Sequence, residues 1–174
     1  MKNQRGFTLI ELIVYIAIIS TVLLAFVTFA LQLAKVRAKA SVIGEVEYNA
    51  RLIQERLNEA IRHAEGVNTG ASTFGSDPGV LSLDMVDVAE DATIFNLTSD
   101  DGNFQVEAGG GEATPITTNG VSITNLIFTN YTSSEDVGVV GVQFTVTANN
   151  VSSDQFFDYA QSFQTTLRIP LDNL

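Results

Sequence analysis

The sequence predicts an α+β chain: one long N-terminal helix, then a head of antiparallel strands packed on it. Three observations lead there. Phe7 to Ala34 holds a single charged residue, Glu11. From Ile43 to Ala64 apolar residues recur at alternating steps of three and four, the stripe of an amphipathic helix. Beyond Gly66, short runs rich in β-branched and aromatic residues alternate with clusters of Gly, Asn, Asp and Ser, the pattern of strands and turns.

The first half of the helix is a transmembrane candidate. Leu12 to Leu31 is uncharged, and its 20 residues match the length a helix needs to cross the hydrocarbon core. Glu11 stands at the edge of this run. A carboxylate inside a membrane costs a few kcal/mol and points to function, so it requires a partner. An ordinary secretory signal peptide has a shorter apolar core followed by a small-residue cleavage site. A plain anchor would account for the length and leave Glu11 without a reason. Lys2 and Arg5 precede the run and Lys35, Arg37 and Lys39 follow it, so a bare count of basic residues does not favour a cytoplasmic N-terminus. The second basic group reads as a stripe facing lipid headgroups.

The second half carries Ile43, Val46, Ala50, Ile53, Leu57, Ala60 and Ala64 on one side, with Glu45, Glu47, Arg51, Gln54, Glu55, Asn58, Glu59 and Arg62 on the others. A stripe this short with three alanines suits packing on the chain's own sheet better than a coiled coil. Gly66 is the expected stop. In the head, strands are expected at Val80–Val86, Thr93–Leu97, Phe104–Val106, Val121–Ile123 and then Leu126–Tyr131 as one strand, Val137–Ala148 and Phe163–Ile169. Ser99 to Asn103 should form a hairpin turn through Asp101-Gly102. In Val137–Ala148, Val140, Val142, Phe144, Val146 and Ala148 fall on one face. The expected sheet is an antiparallel meander with one face covering the helix stripe.

A short basic leader, Gly6, Phe7, Glu11 four residues on, and the apolar run directly behind resemble the N-terminal signal of type IV pilins and type II secretion pseudopilins. The resemblance covers residues 1–34. It implies a pilin-like fold with the head exported from the inner (cytoplasmic) membrane. It implies cleavage by a prepilin peptidase after Gly6, N-methylation of Phe7, and pairing of Glu11 with the Phe7 ammonium of a neighbouring subunit. The organisation it suggests is a leader at 1–6, a membrane and filament-core helix at 7–34, an amphipathic continuation at 35–65 and a β head at 66–174. Its partners would be the peptidase, other pilin or pseudopilin subunits through the N-terminal helix, the inner-membrane assembly platform and the lipid bilayer. The segments around Phe128, Phe144 and Phe163 look like the tail of minor subunits of the J or W type. Two departures stand out: many major pilins carry a proline or glycine midway along the membrane helix, and Ser20–Thr28 has neither. Many also staple a C-terminal loop with a disulfide, and cysteine is absent here.

Composition excludes several chemistries. With no cysteine there is no thiol nucleophile, disulfide or thiolate metal site. His63, the lone histidine, falls near the helix C-terminus, where a cation is favoured. Gly109–Gly111 is followed by Glu112, the wrong sign for a phosphate loop. The expectation is a structural subunit that is not an enzyme and holds no cofactor. Asp100, Asp101 and Asn103 form a weak calcium candidate that lacks the full EF-hand pattern, and Ser133–Asp136 is a second acidic loop of the same kind. Residues 67–174 hold 14 acids and one base, Arg168, so nucleic acid is not an expected partner. The alternative in another class is a membrane-anchored binding protein, such as an adhesin or a DNA-uptake (competence) pilin.

Overall fold

A computed structural model describes residues 7–132, 138–150 and 154–170. The leader with Gly6 and the acidic loop Ser133–Asp136 lie outside the described residues. The chain divides into two compact units, 1–40 and 41–174. One helix, α1 (Leu9–His63), contributes to both.

In the first unit α1 contains no proline or glycine, and its side chains are almost all exposed. Its threonine hydroxyls bond to their own helix. Thr21 Oγ1 donates to the Ala17 carbonyl at 2.9 Å, and Thr28 Oγ1 donates to the carbonyls of Leu24 and Ala25 at 3.0 and 2.9 Å. Polar groups satisfied within the segment are what hydrocarbon demands. By length and composition alone, α1 is long and apolar enough to cross a membrane.

In the second unit α1 buries Val46, Asn49, Ala50, Ile53, Leu57 and Ile61. The expected stripe is found at Val46, Ala50, Ile53, Leu57 and Ala64, while Ile43 and Ala60 are only half-buried. Ile61, four residues beyond Leu57, turns inward instead. The buried Asn49 interrupts the apolar stripe for a structural reason. Its Nδ2 donates to the Glu45 carbonyl at 2.8 Å and to Thr118 Oγ1 at 3.2 Å, and its Oδ1 accepts the Thr118 amide at 2.9 Å. Thr118 Oγ1 in turn donates to Glu45 Oε1 at 3.2 Å. This clamp ties the helix to the connection that crosses it.

The helix ends at His63 rather than running to Gly66. Strand β1 (Ala64–Val67) follows at once and pairs antiparallel with β2 (Leu81–Met85), and the Val86 amide donates to the His63 carbonyl. Strand pairing, more than glycine, stops the helix, and Gly66 lies at a register shift inside β1. Strands β3 (Thr93–Leu97), β4 (Phe104–Glu107) and β5 (Thr114–Pro115) complete an antiparallel sheet in the order β1-β2-β3-β4-β5. The β3–β4 hairpin turns where expected, with Gly102 at φ 64 and Leu97 paired with Phe104.

A single meander is not what forms. β6 (Val121–Asn130), β7 (Val139–Ala148) and β8 (Ala160–Arg168) make a second antiparallel sheet in that order. β5 is only two residues long and ends in Pro115, which has no amide to extend the ladder. The strand expected over Val121–Ile123 and Leu126–Tyr131 forms as β6, with a bulge at the gap between the two runs, where Asn125 adopts φ 55. β8 begins three residues earlier than expected. Loops dock the sheets together: the amides of Gly75, Gly79 and Ile123 donate to the carbonyls of Phe128, Leu126 and Gly102 at 2.7–2.8 Å. Phe95, Phe104, Phe128 and Phe144 are buried in one core with the helix stripe. Each full burial contributes about 1.5–3 kcal/mol.

Candidate functional site: the N-terminal end of the apolar helix

Two of the residues singled out by sequence, Phe7 and Glu11, lie at the start of α1. Thr8 precedes the first helical residue. Its Oγ1 accepts the Glu11 amide at 3.4 Å and its carbonyl accepts the Leu12 amide at 3.2 Å, which makes Thr8 the N-cap. Thr8-Leu9-Ile10-Glu11 is a capping-box pattern, with Glu11 at the third helical position. The Thr-x-x-Glu spacing was readable in the sequence, and Thr8 is the residue that pattern reading overlooked.

Phe7, just ahead of the helix, and Glu11 and Tyr15 within it are spaced four residues apart. The Phe7 and Tyr15 rings lie 5.8 Å apart between centroids, tilted by 54°. Phe7 is 72% exposed, and Glu11 is exposed beside it. Among the described residues Glu11 has no ion-pair partner. A first-turn acid interacts favourably with the unpaired amides of a helix N-terminus. Its carboxylate can therefore serve its own helix and still present outward charge to another chain.

Among the described residues the head offers no comparable constellation. His63 closes α1, exposed, on a groove of about 550 Å³ that Leu52, Arg56, Met85, Phe95 and Ile116 also line. Arg56 is paired with Glu59 at 3.0 Å on the helix surface. The calcium candidates lie in different surroundings. Asn103 is buried, donating to Asn119 Oδ1 and accepting from Thr117 Oγ1, both at 3.4 Å, while Asp100 and Asp101 are exposed. Among the described residues, His, Cys, Asp and Glu side chains form no group able to hold a metal ion.

Residues 1–27 match the family model of the prokaryotic N-terminal methylation motif. Neither the curated proteins nor the solved structures gave a match. The chain thus carries the type IV pilin and pseudopilin signal on an α+β, pilin-like fold, and the signal is that of an exported structural protein rather than an enzyme.

Proposed function

We propose, from that signal and the helix it opens, that the chain is a minor pilin or pseudopilin of the J or W type, a structural subunit of a type IV pilus or type II secretion filament. It is made as a precursor and held in the inner membrane by α1, with its head exported. Prepilin peptidase removes residues 1–6 after Gly6, and Phe7 is methylated on its new amino group. Glu11 then pairs with the Phe7 ammonium of a neighbouring subunit as helices transfer from lipid into the filament. The single observation that carries this reading is an exposed carboxylate, unpaired among the described residues, at the start of an apolar helix. Two opposite charges brought together in a low-dielectric core relieve each other's desolvation, and removing one partner costs about 3–5 kcal/mol. A DNA-capturing head is disfavoured by its 14 acids against one base.

Glu11→Gln tests the pairing. Glutamine keeps the capping-box geometry and removes the charge. Insertion and leader removal should match wild type, by membrane fractionation and N-terminal mass spectrometry. Recovery in sheared or overexpressed filaments should fall more than about a hundredfold, the equivalent of about 3 kcal/mol. Wild-type incorporation of Glu11→Gln would refute the pairing role, and a mature protein beginning at Met1 would refute the processing.

A further inference from the structure

The strands β6, β7 and β8 carry one charged residue, Arg168, in a chain with 20 acidic and 9 basic residues. β8 forms the open border of this sheet. It pairs with β7 over an unbroken register, from Val139–Arg168 to Thr147–Ala160. The Ile169 amide donates to the Gly138 carbonyl at 3.0 Å, and the Ala148 amide donates to the Tyr159 carbonyl at 2.9 Å. Bonded and non-bonded pairs alternate in an antiparallel ladder. Odd-numbered residues of β8 therefore face β7, and Ala160, Ser162, Gln164 and Thr166 turn their amides and carbonyls away from it. All four are exposed, and their outward backbone groups have no hydrogen-bond partner among the described residues.

Open edges invite strand pairing, and proteins blunt them with shortness, proline, lysine, bulges or covering loops. The other borders here are blunted. β5 has two residues and a proline; β1 has four and a register shift; β6 is bulged, accepts from the Gly75 and Gly79 amides and donates from Ile123 to the Gly102 carbonyl. β8 has nine residues with no proline, lysine or bulge. Its inward residue Phe163 stacks on Phe144 at 5.5 Å yet is only half-buried, so an apolar side chain on an added strand would cover it.

We propose that β8 accepts an extended, net-basic strand from a different polypeptide, apolar at alternate positions. A second copy fits poorly. Two β8 strands pairing symmetrically would do so about a two-fold axis perpendicular to the sheet. That axis would reverse the direction of helix residues 46–61, which lie along the inner face. Subunits leaving one membrane share a direction, so this step rests on the proposed filament reading. Unsymmetrical pairing of copies would need another open edge, and the described residues show none. The acidic head repels its own kind and attracts a basic strand; Asp158, two residues ahead of β8, is exposed while its Oδ1 accepts from Asn150 Nδ2 at 2.7 Å. Main-chain bonds would supply the affinity and alternate side chains the selectivity.

The test uses full-length protein in detergent micelles and a capped synthetic peptide as long as β8, alternating valine and threonine with a lysine at each end. Its twin ends in glutamates. Amide exchange is followed by NMR. With the lysine peptide, exchange at Ala160, Ser162, Gln164 and Thr166 should slow at least about tenfold, and with the glutamate peptide it should not. Thr166→Pro, which removes an amide that faces away from β7, should abolish the slowing while β7 amides stay protected. Thr166→Lys, a gentler change, should weaken it. Slow exchange before any peptide is added, no slowing with the lysine peptide, equal slowing by both peptides, or a concentration-dependent dimer dissolved by Thr166→Lys would overturn the proposal. No filament is present, so the outcome is separate from that of the Glu11→Gln incorporation assay.

Discussion

Replacing Asn49 by alanine should loosen the head by an amount that the clamp's own geometry bounds. Three hydrogen bonds end on this side chain, from or to Glu45 and Thr118. A net bond contributes about 0.5–1.5 kcal/mol, and a buried group left unmatched costs more. Thr118 is exposed, so water can satisfy its amide and hydroxyl in the mutant. That places the loss toward the lower end, about 2 kcal/mol. Amides of β7 that exchange through global opening should then exchange about thirtyfold faster, readable by mass spectrometry on the full chain in detergent. Asn49→Asp gives a sharper control. The new carboxylate would be buried near the Glu45 side chain with no cation supplied, so its ionised form is disfavoured in the folded state. The folded state would then bind the extra proton more tightly than the unfolded one, and stability would fall as pH rises. Asn49→Asp should be worse than Asn49→Ala at pH 7 and recover part of the difference in mild acid. Exchange in Asn49→Ala within about twofold of wild type would refute the clamp's energetic role.

The core and the helix cap give further checks. Phe144→Ala should destabilise the head by about 3–5 kcal/mol, measured by urea titration of β7 amide exchange. Gly79→Ala should cost about 1–3 kcal/mol and lower the head's Tm, because an added Cβ would meet Phe128 Cδ2 at 2.9 Å and backbone atoms of Leu126 and Phe128 at 3.2 Å. Thr8→Ala should cost about 0.5–2 kcal/mol, confined to the first turn of α1, and appear as faster exchange at Glu11 with membrane insertion unchanged.

Local signals carried much of the fold in readable form. The uncharged run at Leu12–Leu31, the Val140–Val146 alternation and the Asp101-Gly102 turn each act within a few residues, so sequence order alone exposes them. Asn49 could not be read this way. A polar residue in an apolar stripe looks like a surface position until its partner Thr118, 69 residues away, is brought across it. The split into two sheets was hidden for a similar reason, since it depends on where β5 stops and on how the glycine loops bond to β6. At the helix start, the acid and the phenylalanine announced themselves by being out of place. The cap at Thr8 was present in the spacing but looked like an ordinary residue beside them.

The passage from α1 into β1 has a mechanical corollary. No loop separates His63 from Ala64, so the first sheet hangs directly on the end of the helix, and the Asn49 clamp fastens the second sheet's lead-in a few turns earlier. Twisting or tugging residues 41–63 must load those two attachments together. The head has no swivel there, and any torque along that stretch of helix is delivered to both sheets at once.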